Sequence, residues 1–233
     1  HLGGEWHSLQ LPANVHVFAN DVEMKKYITR KGAVVHLYGF SYGEKHISER
    51  KIDHYKKSGD ADFHIGILHG NLEGNNEHGN YAPFQLNDLL EKQFHYWALG
   101  HIHKRQVICE NPPVVYPGNI QGRHRKETGI KGCWLVSLAN RGHEQLEFIP
   151  TSDCLWEEIR IDGKDAESVD DLYQLCRKGI ESARKEGLGI FALLTVHNLF
   201  IHLQDEAVED LLQTLQEEEG DDETFVWPID LKF

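Results

Sequence analysis

The sequence predicts a mixed α/β fold in two domains, a larger one over residues 1–152 and a smaller one over residues 153–233. Short apolar or β-branched runs, separated by polar and glycine-rich loops, dominate the first part and are typical of strands. The second part alternates strands and helices in the order β-α-β-α-β, which is typical of a small α/β unit. The length of 233 residues is sufficient for both domains.

The first part is predicted to contain eight strands and two helices. The helices cover residues 48–57 and 85–92, and the second of them carries leucines at helical spacing after Pro83. The asparagine-rich stretch 70–80 shows no periodicity and is predicted to be an exposed loop. The strands are predicted at residues 15–19, 33–40, 63–68, 96–99, 106–109, 114–116, 133–138 and 145–149.

The second part is predicted to contain two helices and three strands. The first helix carries Leu172, Cys176 and Ile180 on one stripe, so one of its faces should be buried. The acidic run 217–223 is most simply a solvated turn. The helices are predicted at residues 168–185 and 205–216, and the strands at 155–161, 190–196 and 225–231.

The charge is unevenly distributed between the two parts. The whole chain has a net charge of −13, of which residues 1–161 contribute −1 and residues 162–233 contribute −12. Fourteen of the 16 histidines lie in the first part. Because a strongly negative segment repels a polyanion, any nucleic-acid contact is expected to use the near-neutral part of the chain.

The composition also excludes several classes of protein. The longest apolar stretch, 189–201, is interrupted by polar residues and is too short to span a bilayer. The four cysteines form no close pair, which argues against a disulfide framework and against a zinc ribbon. We therefore expect a cytoplasmic protein without a membrane span.

Three histidines stand where predicted buried strands end. His69 precedes Gly70, and His101 and His103 follow Gly100. Because residues i and i+2 of an extended segment point the same way, the rings of His101 and His103 can converge. Neutral imidazole binds transition metals, so the pattern predicts a metal site. Plain strand alternation, with the rings in water, is the alternative for an isolated His-x-His.

Two longer strings, YWALGHIHKRQ at 96–106 and YPGNIQGRHRKE at 116–127, accompany His69-Gly70. Together they resemble the later motifs of the calcineurin-like metallophosphoesterases, and in particular the bacterial DNA-repair exonucleases of the SbcD/YhaO type. The resemblance covers most of the chain. It implies the C-terminal part of a two-sheet sandwich with flanking helices, followed by a small β-α-β-α-β capping domain.

The resemblance also implies a function. Enzymes of this family hydrolyse phosphodiesters with a hydroxide held by two divalent metal ions, often Mn²⁺. In this sequence His69 and His101 would ligate one metal and His103 the other, in a metal-dependent DNA nuclease that acts in repair with an SMC-like ATPase. The alternatives are a phosphatase or phosphodiesterase for small metabolites, and a non-catalytic binding module whose acidic tail docks a partner.

The sequence departs from the family pattern in its early motifs. Asp-x-His, Gly-Asp and Gly-Asn-His-Asp motifs would supply the remaining ligands, and only two decoys occur here, Asp62-Phe63-His64 and Gly59-Asp60. We expect the chain to be an excerpt that begins just after the last of these motifs. Without bridging carboxylates it should hold at most one metal and be catalytically inactive. Bare strands would also favour an oligomer.

The densest basic cluster of the sequence follows Asn119 and comprises Arg123, His124, Arg125 and Lys126. Short basic runs are often only solvated surface. The functional interpretation is that Arg123 or His124 contacts a phosphate, for which a bidentate guanidinium is well suited. We therefore predict that Asn119, Arg123, His124 and Arg125 bind the phosphates of DNA.

Overall fold

The computed structural model describes residues 10–44, 47–73, 81–139, 144–220 and 224–233. The chain forms two compact units, of which the first contains residues 1–118 and 134–149. The second contains residues 119–133 and 150–233. The chain therefore enters the second unit, returns briefly to the first, and then completes the second.

The first unit is built on a six-stranded sheet with the order β1-β2-β3-β4-β6-β5. Strands β2, β3, β4 and β6 run parallel, and the two edge strands β1 and β5 are antiparallel to their neighbours. The four parallel strands therefore all end at the same edge of the sheet. The strands are β1 (Glu23–Ile28), β2 (Val34–Gly39), β3 (Phe63–His69), β4 (Tyr96–Gly100), β5 (Gln106–Glu110) and β6 (Pro113–Tyr116).

The core of the first unit lies on one face of this sheet. A short helix α1 (Leu86–Glu91) and a 3-10 turn (Lys51–His54) lie near one another beside that face. Trp97 of β4 is fully buried there, and its indole N–H donates to the carbonyl of Leu89 at 3.2 Å. The ring requires a glycine at position 66, because a Cβ on Gly66 would come within 2.2 Å of it. A two-stranded sheet, β7 (Gly132–Ser137) with β8 (Gln145–Pro150), follows.

The second unit has a three-stranded parallel sheet with the order β11-β10-β9. Two amphipathic helices contact this sheet and bury Leu172, Cys176 and Ile180 from one helix and Leu211 and Leu215 from the other. The elements are β9 (Cys154–Asp162), α2 (Val169–Ala183), β10 (Gly189–His197), α3 (Asp205–Glu217) and β11 (Val226–Lys232).

The structure confirms the mixed α/β class and most of the predicted elements, but two of the predicted elements are wrong. Residues 15–19 form no strand, because Val15 and Val17 are about half exposed and Ala19 bonds instead to Glu23 and Ser41. The helix predicted over 48–57 shrinks to the 3-10 turn, since the chain is extended at Tyr55.

Strand β1 was not predicted, because two lysines interrupt its apolar pattern, as is common for an edge strand. Most of the predicted loop 70–80, namely residues 74–80, and residues 221–223 of the acidic run lie outside the described residues. The basic segment 119–133 groups with the second unit, whereas the prediction placed it in the domain over 1–152. Within the described part of the chain, no helix is long and apolar enough to cross a membrane.

Candidate metal centre

The predicted histidines lie where two parallel strands end side by side. His69 is the last residue of β3 and pairs in register with Gly100, the last residue of β4. Glycine is required at position 100 because an added Cβ would come within 2.8 Å of Nδ1 of His69. Sites in α/β folds commonly form at this carboxyl edge of the sheet.

His101 meets His69 directly after β4. Their ring centroids are 5.4 Å apart and their planes are inclined by 70°. The backbone of His101 has a φ of +96°, a region that costs a residue with a side chain about 1–3 kcal/mol. Such strain is most common where function demands a particular side-chain position. The turn at His101 brings its ring toward His69 rather than along the strand.

The imidazole of His69 is held in its neutral form. Burial, together with the neighbouring His101 and His103, which disfavour a positive charge, lowers its pKa to about 4. The residue as a whole is nevertheless exposed to solvent. A neutral ring nitrogen that water can reach is what a divalent transition metal requires of a histidine ligand.

Two tyrosines pack around these rings, and neither could be predicted as a site residue from the sequence. The ring of Tyr81 stacks on His101 with centroids 4.9 Å apart and planes inclined by 12°. The ring of Tyr42 lies edge-on to His69 at 5.0 Å, and its hydroxyl donates to the His69 carbonyl. Burial raises the pKa of Tyr42, so its hydroxyl stays a donor. These contacts fix the orientation of both histidines.

Asn71 anchors this arrangement from below. Asn71 is 1% exposed, and its side-chain oxygen accepts a hydrogen bond from the backbone N–H of Tyr81 at 2.6 Å. The backbone N–H of Asn71 donates to the Tyr81 carbonyl at 2.9 Å. The hydroxyl of Tyr116, at the end of β6, donates to the Gly70 carbonyl at 2.7 Å. The string His69-Gly70-Asn71 is therefore held at both its ends. Its position two residues after His69 is the one sequence signal that could have pointed to Asn71.

The predicted ligands fit part of a metal site. The structure brings His69 and His101 together, and His103 lies close enough to affect the pKa of His69. No group of three or more His, Cys, Asp or Glu side chains among the described residues is arranged to hold a metal by itself. The neutral ring of His69 beside the ring of His101 suits a metal, and further ligands would complete its coordination.

The two decoys are distinguished by their place in the fold, and Gly59-Asp60 lies in the segment between the 3-10 turn and β3 instead of ending a strand. Asp62-Phe63-His64 opens β3 instead of closing a strand, and the Asp62 carboxylate accepts from the Val34 N–H at 2.7 Å. His64 and His36 are buried strand residues, and their rings form hydrogen bonds with the Tyr38 hydroxyl and the Ser58 carbonyl respectively. These histidines lie at the start of their strands, away from the carboxyl edge.

The predicted phosphate-binding residues lie in the second unit. Arg123, His124 and Arg125 are exposed on a turn, with 65%, 55% and 54% of their side chains accessible. The side-chain amide nitrogen of Asn119 is buried and has no acceptor among the described residues. Sequence reasoning missed Glu127, which is 7% exposed and ends the same turn.

The comparisons with known proteins agree with the histidine arrangement. The chain is 41% identical over 237 residues, covering 99% of its length, to a Bacillus subtilis (strain 168) protein described as the uncharacterized metallophosphoesterase YhaO. This likeness supports the metallophosphoesterase superfamily. The chain spans 58% of the length of that relative. No protein-family model matches the chain.

Proposed function

We propose that this chain is part of a metal-dependent phosphoesterase and that its substrate is DNA. One observation carries the proposal: a chain 41% identical to a metallophosphoesterase brings the neutral ring of His69 together with the ring of His101 at the carboxyl edge of a parallel sheet. Bound divalent metals would activate a water molecule and stabilise charge on the phosphoester oxygens. We propose His69, His101 and His103 as ligands and Mn²⁺ as the metal.

The residues of this chain contribute positioning and electrostatics. His69 presents a neutral ring, and ring contacts with Tyr42 and Tyr81 hold the rings of His69 and His101 in place. Preorganised ligands of this kind reduce the cost of arranging the site when the substrate binds. The strained backbone of His101 is maintained by this packing.

The choice of DNA over a small phosphoester rests on the basic turn of the second unit. Three adjacent basic residues, Arg123, His124 and Arg125, are all more than half exposed. A polymeric phosphodiester can contact several such groups at once, whereas a metabolite with one phosphate cannot. An SMC-like ATPase partner and a place in DNA repair stay proposals that follow from the resemblance.

The test uses the protein at its full natural length with Mn²⁺. We expect cleavage of linear duplex DNA that EDTA abolishes, and a loss of more than about 100-fold in the His69→Asn and His101→Asn variants. His197→Asn, an exposed histidine at the end of β10, is the matched control and should retain the activity. Hydrolysis of bis(4-nitrophenyl) phosphate without any DNA cleavage would favour a small substrate, and no hydrolysis of either would contradict the proposal.

A further inference from the structure

The turn at residues 122–127, which we call the basic turn, is organised around a buried carboxylate. Glu127 is 7% exposed although it lies among exposed neighbours. Its side chain accepts a hydrogen bond from the backbone N–H of Arg123 at 2.8 Å, and its own N–H donates to the His124 carbonyl at 2.8 Å. A carboxylate is rarely buried without such partners, so Glu127 fixes the backbone of the turn.

The same carboxylate also faces two of the basic side chains. Its Oε1 atom lies 3.5 Å from Nε2 of His124 and 3.9 Å from the guanidinium of Arg123. The Lys126 N–H donates to Nδ1 of His124 at 3.2 Å. Nδ1 is therefore an acceptor, so the proton of the neutral ring is on Nε2, the atom that faces Glu127.

The turn is attached firmly to the sheet of the second unit. The indole N–H of Trp156 on β9 donates to the Gly122 carbonyl at 3.1 Å, and a Cβ on Gly122 would come within 2.9 Å of this indole. The side-chain amide of Gln121 donates to the Cys154 carbonyl at 2.7 Å and accepts from the Asp153 N–H at 2.9 Å. Arg125 pairs with Asp230 of β11 at 3.4 Å. The basic turn is therefore fixed to the sheet of the second unit on one side and exposed to solvent on the other.

We propose that the basic turn is a preformed phosphate-binding loop of the second unit and that Glu127 is its positioning residue. The buried carboxylate holds Arg123 and His124 so that their outer N–H groups meet a phosphodiester of DNA without further ordering. This inference rests on the proposed function, because it takes DNA as the ligand. Glu127 is thus a negatively charged residue within a proposed binding site for a polyanion.

Because Glu127 is negatively charged, its two possible roles predict opposite effects of the same substitution. If Glu127 acted only through its charge, Glu127→Gln would raise the affinity for DNA, because a repulsive charge is removed. If Glu127 positions the turn, the same substitution lowers the affinity. We expect a decrease of about threefold or more, together with a salt slope that falls by about 1, the signature of a lost phosphate contact.

The measurement is fluorescence anisotropy of a labelled duplex oligonucleotide, titrated with the 233-residue chain at several salt concentrations. Arg123→Ala should weaken binding, and Glu127→Gln should cost less affinity in the Arg123→Ala background than in the parent, because part of its effect acts through Arg123. Arg160→Ala removes an exposed arginine of β9 and is the matched control for charge. We expect a smaller change in affinity from this control than from Arg123→Ala.

Arg123→Lys keeps the charge and leaves the buried carboxylate in place, so it tests the inference even if Glu127→Gln does not fold. We expect it to bind more weakly than the parent, since the guanidinium fork is lost. Weaker binding by Arg123→Ala together with unchanged or tighter binding by Glu127→Gln would overturn the role of Glu127 and leave DNA as the substrate. Unchanged binding by Arg123→Ala would overturn the phosphate-binding loop itself.

Discussion

At the scale of single residues, the metal site depends on the absence of a side chain as much as on its histidines. Gly100 leaves the space that the ring of His69 occupies, since a Cβ there would approach Nδ1 within 2.8 Å. This glycine has no positive φ, so its role is spatial and not conformational. Substitution at this position therefore acts on the orientation of the neighbouring ring.

We expect Gly100→Ala to weaken Mn²⁺ binding by about tenfold or more, because displaced ligands lose the geometry that a metal requires. Calorimetric titration of the full-length protein measures this effect. Gly220→Ala is the matched control, because a Cβ there meets nothing within 4 Å. Equal Mn²⁺ affinity in both variants would show that the ring of His69 does not need this space.

The buried His64 gives the first unit a dependence on pH. Burial lowers the pKa of His64 from 6.5 to about 4, with Lys57, His36 and His95 adding to the effect, so the folded chain takes up this proton later than the unfolded chain. The contribution of His64 to the free energy of unfolding is therefore fully present above pH 6.5 and is lost as the pH falls toward 4. The free energy of unfolding should decrease by up to about 1.4 kcal/mol per pH unit in that window.

Urea unfolding at several pH values measures this slope, and His64→Gln should reduce it. The titration of His64 can also be followed directly by NMR. A midpoint at or above pH 6.5 for this ring would contradict the account.

Residue-scale prediction from the sequence succeeded where a local pattern carried the information. An apolar run that ends in histidine beside glycine marks a strand end, and this located His69 and His101. Tyr42 and Tyr81 could not be found in this way, because only folding brings these distant segments to the histidines. Glu127 was overlooked because a glutamate after three basic residues gives no sign that it is buried.

At the scale of elements, strong periodicity was the reliable guide. The parallel strands β3 and β4 are nearly continuous apolar runs, and α2 and α3 carry clear apolar stripes, so all four were predicted within two residues at each end. Prediction from the sequence failed for strand β1 and for residues 48–57, because edge pairing and tertiary contacts determine the structure of those segments. Arg50, for example, pairs with Asp88 of α1 at 2.6 Å just before the 3-10 turn.

Helix α2 has a capped start whose contribution can be measured. The hydroxyl of Ser168 accepts from the Asp171 N–H at 3.2 Å, and it also donates to the carboxylate of Asp171 at 2.7 Å. We expect Ser168→Ala to lower the free energy of unfolding of the second unit by about 1 kcal/mol. Urea denaturation measures the loss, and Ser168→Asp, which restores an N-cap acceptor, should recover most of it. Equal stability of Ser168→Ala and the parent would refute the cap.

At the scale of the whole molecule, we expect metal binding and catalysis to require different parts of the protein. The 233-residue sequence contains no Gly-Asn-His-Asp motif, and imidazoles alone cannot offset the repulsion between two adjacent metal ions. We therefore expect this chain by itself to show no Mn²⁺-dependent cleavage of DNA in a gel assay, in contrast to the cleavage that we propose for the full-length protein. Metal-dependent cleavage by the isolated chain would contradict this expectation.

The oligomeric state of the chain is a second property of the whole molecule that can be tested. Apolar side chains on the edge strand β1 are exposed, with Tyr27 at 54% and Ile28 at 58%, and an open edge of this kind favours association. Light scattering of the chain measures its mass in solution. We expect a species larger than 26.8 kDa, and a clean monomer would contradict the prediction.

The most direct test of the central claim is Mn²⁺ binding by the full-length protein, measured by calorimetry or by the electron paramagnetic resonance signal of free Mn²⁺. The account predicts that the parent and His197→Asn bind Mn²⁺ alike, and that a variant carrying both His69→Asn and His101→Asn loses at least one bound ion per chain. Retention of every bound ion by that double variant, or no binding by the parent, would contradict the claim that these strand-end histidines form a metal site.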